Sequence, residues 1–460
     1  FQHAGHRRLA QSGDVLRQWV AQGAAILLLG VSNVTIEGND LYLNDYGISI
    51  SSSNNISVNN NNIISSEYSG IEIDGSENVT ITNNRFEACE YGDSICLYES
   101  RDCLLKGNRI IGGYTGIYVS GSDSNTISEN EIIDTVDGVY LSQAGDNRLY
   151  QNRIESSSSG IWLDSCGADI QGNTMFGCCI MMGFDEQANA EDLARSMTIT
   201  ENNTVDGAPV YFLKDEDMAG APVPAGQGEV ILLNVTRLNV EGLDMRHGSV
   251  IVAFSDNITV QKNTVSDSSM GIMLFGSVDC ILSDNRIEAN IDGRGLDDIV
   301  GIMMFLSSRN DISNNDICFS VDIAESYWIS LTAIDIYKCH RNSIFENSLS
   351  IQGTVRQGDA EDLPLYKGIS VSGDGNREES NIIGRNAITD NMIGPHGGRG
   401  ISLGITLGNF FIGNVITGMP NYGVYAFGAH ENRFVGNEIV RSGGHGIALN
   451  TCYGNHIFAN

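Results

Sequence analysis

Carboxylates and cations that could act on a sugar polymer are concentrated in the second half of this chain. Glycosidic hydrolysis needs two carboxylates facing one cleft, whereas β-elimination needs a Lys, Arg or Tyr base and neutralisation of substrate charge, often by Ca²⁺. The acidic candidates are Asp297, Asp298, Asp322, Glu325, Asp335, Asp359, Glu361 and Asp362, and the basic ones are Lys367, His396 and Arg399. Asp335 stands out because it interrupts a run of apolar positions. The best catalytic candidates are Asp335, Asp297, Asp298, Lys367 and Arg399. Acidic loops on an acidic protein are usually only solvated, so enzymatic activity stays open.

A second set of residues forms a stripe of aromatic and apolar side chains at positions that strand alternation turns outward. Its main members are Tyr118, Tyr140, Trp162, Tyr211, Met273 and Met303. The aromatic rings would suit stacking on sugars, whereas Met and Ile are poor sugar platforms and favour an interface with a second copy or another protein. A third alternative is that the insertions at 183–196 and 213–228 fold back over the stripe.

Metal-binding and other catalytic motifs are weak. Cys178-Cys179 next to Met181-Met182 is a hint of a soft-metal site, but the ten cysteines show no zinc spacing. No metal-ligand residues are predicted, and Ca²⁺ stays open as a cofactor of this protein. Gly444-His445-Gly446 is similar to a polygalacturonase motif, but it lacks the acidic pairs which that motif requires nearby.

Six Asn-x-Ser/Thr sequons are candidate glycosylation sites, conditional on export. They are Asn33, Asn55, Asn78, Asn202, Asn234 and Asn257.

A repeat of 22 to 24 residues runs through most of the chain and predicts the strands and turns that carry all of these candidate residues. The motif Gly-(Ile/Val)-x-(Ile/Val/Leu) recurs in step with Asn-x-(apolar), for example at Gly70, Gly301, Asn84 and Asn315. Three short alternating strands per repeat, separated by Gly, Asn or Ser turns, indicate one coil of a three-faced solenoid. We expect the repeat Asn to adopt the left-handed conformation and stack its amide between coils, and Gly to supply positive φ at another corner. The sequence predicts an all-β, right-handed parallel β-helix.

The breaks in the repeat predict the organisation of the chain. Residues 1–25 would form an N-terminal cap containing a short amphipathic helix, and 26–460 a single β-helix. That helix divides into a first block at 26–206, an irregular junction at 207–228 and a second block at 229–460. About seventeen coils would make a rod on the order of 80 Å long. Five insertions, at 183–196, 213–228, 289–300, 321–333 and 352–367, mark corners where solenoids carry binding loops.

Composition limits the partners. The net charge is −31, from 57 acidic and 26 basic residues, so nucleic acid and anionic lipid are repelled. Nothing approaches the length of an apolar transmembrane segment. The expected partners are a polysaccharide or another surface protein, with self-association into a homo-oligomer as an option.

The segments Gly207-Ala208-Pro209-Val210-Tyr211, Val223-Pro224-Ala225-Gly226-Gln227 and Ile231-Leu232-Leu233-Asn234-Val235-Thr236 resemble the NosD-like class of β-helix proteins. That class is common among archaeal surface proteins and belongs to a superfamily of carbohydrate-binding proteins and sugar hydrolases. The resemblance implies an extracellular or cell-surface location and binding or processing of polysaccharide. Two alternatives stay open: a structural or adhesive surface component, and a NosD-like periplasmic role in maturing the copper site of nitrous oxide reductase. The resemblance lies in the repeats, so it transfers fold better than activity.

Overall fold

The computed structural model describes residues 23–460, apart from 88, 90–91, 293–297, 324–328, 357–364, 375–379 and 395. The predicted capping helix lies outside these residues, except that 24–25 begin the first strand rather than end a helix. Asp297, Glu325, Asp359, Glu361 and Asp362 also lie outside the described residues. The all-β class and the parallel β-helix are confirmed, because nearly all strand pairing is parallel and stacks one coil on the next.

The strands form because apolar and polar residues alternate with the period of a pleated chain. Ile71 and Ile73 are fully buried, for example, while Glu72 between them is turned outward. Before the break in the helix, the elements are β1 Ala24–Leu29, β2 Ser32–Glu37, β3 Asp40–Tyr42, β4 Tyr46–Ser51, β5 Asn54–Asn59, β6 Asn62–Ile64, β7 Ser69–Asp74, β8 Glu77–Thr82, β9 Arg85–Glu87, β10 Asp93–Tyr98, β11 Leu104–Lys106, β12 Arg109–Ile111, β13 Thr115–Ser120, β14 Thr126–Ser128, β15 Glu131–Ser142, β16 Asn147–Tyr150, β17 Arg153–Asp164, β18 Ala168–Gln171, β19 Thr174–Phe176, β20 Ile180–Gly183, α1 Ala190–Ser196, β21 Thr198–Ile199 and β22 Thr204–Val205.

The remaining elements are all strands. They are β23 Ala208–Lys214, β24 Asp217–Pro222, β25 Glu229–Leu233, β26 Thr236–Glu241, β27 Asp244–Arg246, β28 Val250–Ala253, β29 Thr259–Gln261, β30 Thr264–Ser266, β31 Met270–Phe275, β32 Ile281–Ser283, β33 Arg286–Ile291, β34 Asp298–Phe305, β35 Asp311–Ser313, β36 Asp316–Ile323, β37 Ser330–Tyr337, β38 Ser343–Phe345, β39 Ser348–Val355, β40 Leu365–Ser372, β41 Ile382–Gly384, β42 Ala387–Ile393, β43 Gly397–Leu403, β44 Phe410–Ile412, β45 Val415–Thr417, β46 Tyr422–Phe427, β47 Arg433–Val435, β48 Glu438–Val440, β49 His445–Asn450 and β50 His456–Phe458.

We call the coils built from β1–β22 block one and those built from β23–β50 block two. In each block, one sheet carries the Gly-Ile motif, and we call it the Gly-Ile sheet. In block two it is the ladder β23-β25-β28-β31-β34-β37-β40-β43-β46-β49. The third sheet of block two is β27-β30-β33-β36-β39-β42-β45-β48.

The repeat asparagines form buried amide ladders, and the coils of block two carry one at each of two corners. Asn315 Nδ2 donates to Asn347 Oδ1 at 2.9 Å and to the carbonyl of Leu282 at 2.9 Å. The residue before the ladder asparagine takes the left-handed conformation, as Asn314 does with φ 56°. The prediction that the ladder residue itself is left-handed is therefore wrong, because its side chain is used to bond the coils together.

The repeat glycines are also required for a reason that differs from the prediction. Gly301 has no positive φ; instead, a Cβ at this position would lie 2.6 Å from the carbonyl oxygen of Ala333 on the next coil. The Gly-Ile sheet thus needs glycine for close approach between coils, not for conformational freedom.

The chain is not one uninterrupted rod, because its direction reverses between the blocks. After β22 the chain turns at Asp206-Gly207, and β23 pairs antiparallel with β22, with Thr204 opposite Pro209. Parallel pairing resumes with β25, where Val210 lies opposite Glu229.

Block two packs against block one through the outer face of its Gly-Ile sheet. Ile251, Met273, Phe275 and Met303 point away from their own coils and join the hydrophobic cluster of block one, whereas Met304 belongs to the core of block two. The ring of Phe184 lies 4.3 Å from that of Phe275. The same face therefore supplies an interface within the chain.

Candidate functional site

The predicted catalytic candidates that the structure describes lie together on the outer face of the Gly-Ile sheet of block two. Asp335 follows Met303 in the outward column, and Ser370 and Ser402 come next in register. The adjacent column holds Lys367 and Arg399 on neighbouring coils. We call these five residues, with Tyr422 and Tyr425, the polar face.

Asp335 is in an unusual environment for a carboxylate. Burial raises its pKa; a hydrogen bond from Ser370 and the positive charge of Lys367 oppose that rise, and the negative charge of Asp298 adds to it. Asp298 itself is exposed at the start of β34. A half-buried carboxyl with a raised pKa beside a cation has the properties of a proton donor or acceptor.

Arg399 is held by contacts that leave part of its guanidinium without an acceptor. Nη1 donates to Ser402 Oγ at 3.3 Å, and the group lies over the ring of Tyr425 at 4.2 Å. The Nε atom is buried and has no hydrogen-bond partner.

His396 does not join the polar face. Its Nε2 lies 3.1 Å from both carboxylate oxygens of Asp390, and its Nδ1 lies 2.9 Å from the carbonyl of Gly394. Burial lowers the pKa of His396, but these hydrogen bonds outweigh it, so the pKa is raised. The pair fixes the corner that precedes β43.

The aromatic half of the stripe forms a continuous stack in block one. The rings of Tyr118 and Tyr140 are 5.4 Å apart, and those of Tyr140 and Trp162 are 5.9 Å apart and nearly parallel. All three are half-buried, as is Tyr211 in the first strand of block two. Burial raises the pKa of Tyr140, and the charge of Asp164 adds to the rise.

The Met half of the stripe is closed to outside ligands. Met273 and Met303 are 2% and 1% exposed, and both belong to the cluster shared with block one. The interpretation of these two residues as a platform or an intermolecular interface is therefore corrected. Strand alternation correctly indicates that they point away from their own coil, but it does not reveal that block one covers them.

A cleft of about 1160 Å³ lies between the two blocks. One wall comes from block one, with Asp134, Glu155 and Phe176, and the other from the ends of the third-sheet strands of block two. That second wall includes Arg246, His247, Asp267, Asn290, Asp292, Ser320, Asp322, Gln352, Thr354 and Arg356.

Hydrogen bonds fix the polar side chains of the cleft. The backbone N–H and side-chain Nδ2 of Asn290 donate to Asp267 Oδ1 at 3.1 and 2.9 Å. Burial opposes ionisation of Asp267, but hydrogen bonds from Asn290 and Arg246 outweigh it and hold its pKa below the usual value. Gln352 Nε2 donates to Ser320 Oγ at 3.2 Å on the neighbouring coil.

The sequence did not identify this cleft, because its walls come from distant parts of the chain. Insertions at 289–300, 321–333 and 352–367 were the available signal, since they lengthen β36 and β39, which carry Asp322 and Gln352. Phe176 follows no repeated pattern that could have revealed its role; its ring is 37% exposed, with Arg153 over it at 4.8 Å.

The sulfur-rich segment lies inside the protein. Cys178, Cys179, Met181 and Met182 are almost fully buried in the block-one cluster, and Cys179 Sγ lies 3.7 Å from Met181 Sδ. Burial raises the pKa of both thiols, that of Cys178 to about 11, so they are protonated at neutral pH rather than ready to bind a metal.

The six sequon asparagines are all exposed. Five of them, all except Asn202, have left-handed φ values between 53° and 59° at turns. No helix in the described part of the chain is long and apolar enough to span a membrane.

Several solved structures resemble the chain at low similarity. The periplasmic alginate epimerase AlgG has 10% identity and a TM-score of 0.31, with 87% of this chain and 76% of that chain covered. The surface protein and adhesin PfbA of Streptococcus pneumoniae has 11% identity and a TM-score of 0.29, with 86% and 91% covered. The tailspike protein of E. coli bacteriophage HK620, solved with a hexasaccharide, has 11% identity and a TM-score of 0.25, with 93% and 73% covered. No curated protein sequence matches the chain.

One family model, described as periplasmic copper-binding protein (NosD), matches residues 8–180, 194–358 and 348–460. The described residues do not fit a copper site: they contain no group of three or more His, Cys, Asp or Glu side chains that could hold a metal ion. Cys178 and Cys179, which are buried and protonated, are not available thiolate ligands. The family match nevertheless extends over nearly the whole chain, and the chain belongs to the NosD family.

Proposed function

We propose that this protein works outside the cytoplasm and binds polysaccharide in the cleft between its two blocks. One observation carries the proposal: the cleft combines an exposed aromatic ring with amide, carboxylate and guanidinium groups held in place by hydrogen bonds. Such planar polar groups suit pairs of neighbouring sugar hydroxyls, since they offer two donors or acceptors at once.

The size of the cleft supports a chain rather than a single small molecule. Its volume of about 1160 Å³ exceeds the ~300–1,000 Å³ of usual small-ligand pockets. Asn290, Ser320 and Gln352 lie in register on successive coils, so they repeat about every 4.8 Å along the wall. A polymer lying along the coil axis would meet the same chemistry repeatedly.

The alternative of a structural surface component loses part of its support. The Met half of the stripe, which favoured an intermolecular contact, is already used between the blocks. The stack of Tyr118, Tyr140 and Trp162 is the part of the stripe that would serve as a further sugar platform or a contact with another protein.

The experiment is a glycan array with the wild-type protein, followed by affinity measurement for the best glycan with Phe176→Ala and Gln352→Ala. We expect Phe176→Ala to weaken binding roughly tenfold, because stacking and apolar contact contribute about 1–2 kcal/mol. Phe427→Ala is the matched control, since Phe427 is 48% exposed and lies outside the cleft.

Product analysis on the same glycan would show whether binding leads to cleavage. Equal affinities for Phe176→Ala, Gln352→Ala and Phe427→Ala would contradict the proposed cleft. The absence of any bound glycan on the array would contradict the proposed function as a whole.

A further inference from the structure

We propose that the polar face of block two is a second ligand site, and that Lys367 and Arg399 bind an oxyanion there, a carboxylate or sulfate group carried by a sugar chain. This site lies on the Gly-Ile sheet and shares no residue with the cleft lining. It therefore goes beyond the proposed cleft function and does not depend on it.

The two cations lack the partners that most others on this protein have. Arg237, Arg309 and Lys338, for example, each form an ion pair with a carboxylate. Within the described part of the chain, no carboxylate lies within 4.0 Å of Lys367 or Arg399. Lys367 acts on the carboxyl of Asp335 through its charge but forms no ion pair with it. Because acidic residues outnumber basic ones by 57 to 26, two neighbouring half-buried cations that have no paired carboxylate among the described residues indicate a site for an external anion.

The geometry of Arg399 points to the same kind of ligand. Its Nε donor is buried without an acceptor among the described residues, which is costly. Stacking on Tyr425 at 4.2 Å fixes the plane of the guanidinium. A planar guanidinium held in this way matches the two oxygens of a carboxylate or sulfate.

The surroundings of the two cations suit a charged sugar. Lys367 lies opposite Arg399 on the adjacent coil, about 4.8 Å away along the axis, so one oxyanion can contact both. Ser370 and Ser402 add hydroxyl groups in the next column, and the ring of Tyr422 lies 5.0 Å from that of Tyr425. Burial raises the pKa of the Asp335 carboxyl, and a hydrogen bond from Ser370 opposes that rise.

The test uses the full chain and three forms of one polymer of equal length: dextran, carboxymethyl dextran and dextran sulfate. Titration calorimetry at about 0.1 M salt, where the Debye length of about 10 Å screens the net charge of −31, should show binding of at least one charged form, and binding of neutral dextran at least about tenfold weaker. Above that concentration, affinity should fall as salt rises further. The charged form that binds more tightly identifies carboxylate or sulfate as the preferred group.

The variants Arg399→Met and Lys367→Met should each reduce affinity for the charged polymer by roughly 10- to 100-fold. Arg399→Lys should lose most of the affinity too, because it keeps the charge but not the planar donors. Arg433→Met is the matched control, since Arg433 lies over Phe410 on another sheet, 5.1 Å from the ring centre. Circular dichroism checks that each variant is folded.

Equal binding of neutral and charged dextran, or no binding of either charged form, would overturn the proposal. So would equal affinities for Arg399→Met and Arg433→Met. If Phe176→Ala loses binding of the charged polymer and Arg399→Met retains it, the anion site lies in the cleft and this assignment is overturned. If Phe176→Ala and Gln352→Ala bind neutral glycans as tightly as wild type, only the cleft proposal is contradicted.

Discussion

Adjacent methionines provide a test of the contact between the two blocks. Met303 and Met304 are both at most 1% exposed, but Met303 belongs to the cluster shared with block one and Met304 to the core of block two. Truncating a buried Met to Ala costs about 2–5 kcal/mol. The two substitutions should therefore have similar magnitudes and different consequences. Met303→Ala weakens the contact between blocks, whereas Met304→Ala weakens the coils of block two.

The assay is guanidinium unfolding followed by two signals. Far-UV circular dichroism reports the coils, and Trp162 fluorescence reports the contact, because Trp162 packs against the shared cluster. Trp19 and Trp328 are replaced by Phe so that Trp162 is the sole tryptophan. In Met303→Ala we expect the fluorescence transition to move to lower denaturant and precede loss of β-structure. In Met304→Ala the circular dichroism transition of block two moves instead.

Small-angle scattering provides an independent measurement of the same contact. Met303→Asp places a charge in the shared cluster, which costs more than the cavity alone, and should increase the radius of gyration while the coils stay folded. Unchanged scattering in this variant, together with indistinguishable unfolding of Met303→Ala and Met304→Ala, would refute the packing of block two on block one.

Three further predictions concern buried positions. Burial raises the pKa of Glu229 to about 8. Its contribution to the free energy of unfolding is therefore present below the ordinary carboxyl pKa and is lost as pH rises to about 8, by up to ~1.4 kcal/mol per pH unit. The difference in stability between wild type and Glu229→Gln, measured by denaturation from pH 5 to 9, should follow that slope. Asn315→Ala breaks the amide ladder and should lower the free energy of unfolding by several kcal/mol, at about 1–3 kcal/mol for each buried group left unpaired, and a change below 1 kcal/mol would contradict the ladder. Gly301→Ala should prevent stable folding, because its Cβ would lie 2.6 Å from a carbonyl oxygen, whereas Gly446→Ala, whose nearest contact is 3.9 Å, should change thermal stability little.

The coil could be predicted from the sequence because short-range patterns, the alternation of side chains and the repeat spacing, determine it. A pleated strand turns successive side chains to opposite faces, so Ile302 and Met304 had to face one way and Met303 the other. Stacked coils then require the same residue type at the same place in each repeat, as the asparagine ladder shows. Local pattern was sufficient for the strands, for the period and for the outward direction of the stripe.

The reversal at Asp206-Gly207 could not be predicted in the same way. A turn with small residues joins parallel coils as readily as it joins antiparallel strands, and the repeat resumes with similar spacing afterwards. Alternation shows that Met273 points outward, but only the tertiary arrangement shows what covers it. The choice of Met and Ile at those positions was the one signal that something would do so.

The two candidate sites also differ in whether local pattern or tertiary arrangement determines them. Asp335 was identifiable because it interrupts an apolar column, and Lys367 and Arg399 because they follow at the repeat spacing. The cleft was not, since Phe176 and Gln352 are separated by more than a hundred residues and meet only after the chain has reversed. The repeat asparagines and glycines were predicted at the right positions but with the wrong backbone conformations. Residue type alone does not show whether an Asn adopts a left-handed φ or forms hydrogen bonds between coils, or whether a Gly supplies a positive φ or allows close approach of the next coil.

The packing of the blocks also explains why the outward column of block two changes its chemistry. Ile251, Met273 and Met303 lie where block one covers the sheet, and apolar side chains are stabilised there by burial. One coil later the column becomes Asp335, followed by serines, and two coils later the adjacent column becomes Lys367 and then Arg399. Of the eight-residue strands, β34 and β36 lie on the coil of Met303, β37 and β39 on the coil of Asp335, and β40 on the coil of Lys367. The end of the contact between blocks therefore sets the edge of the polar face, whereas the cleft wall, which includes β36 and β39, begins on the covered coils and continues onto the coil of Asp335.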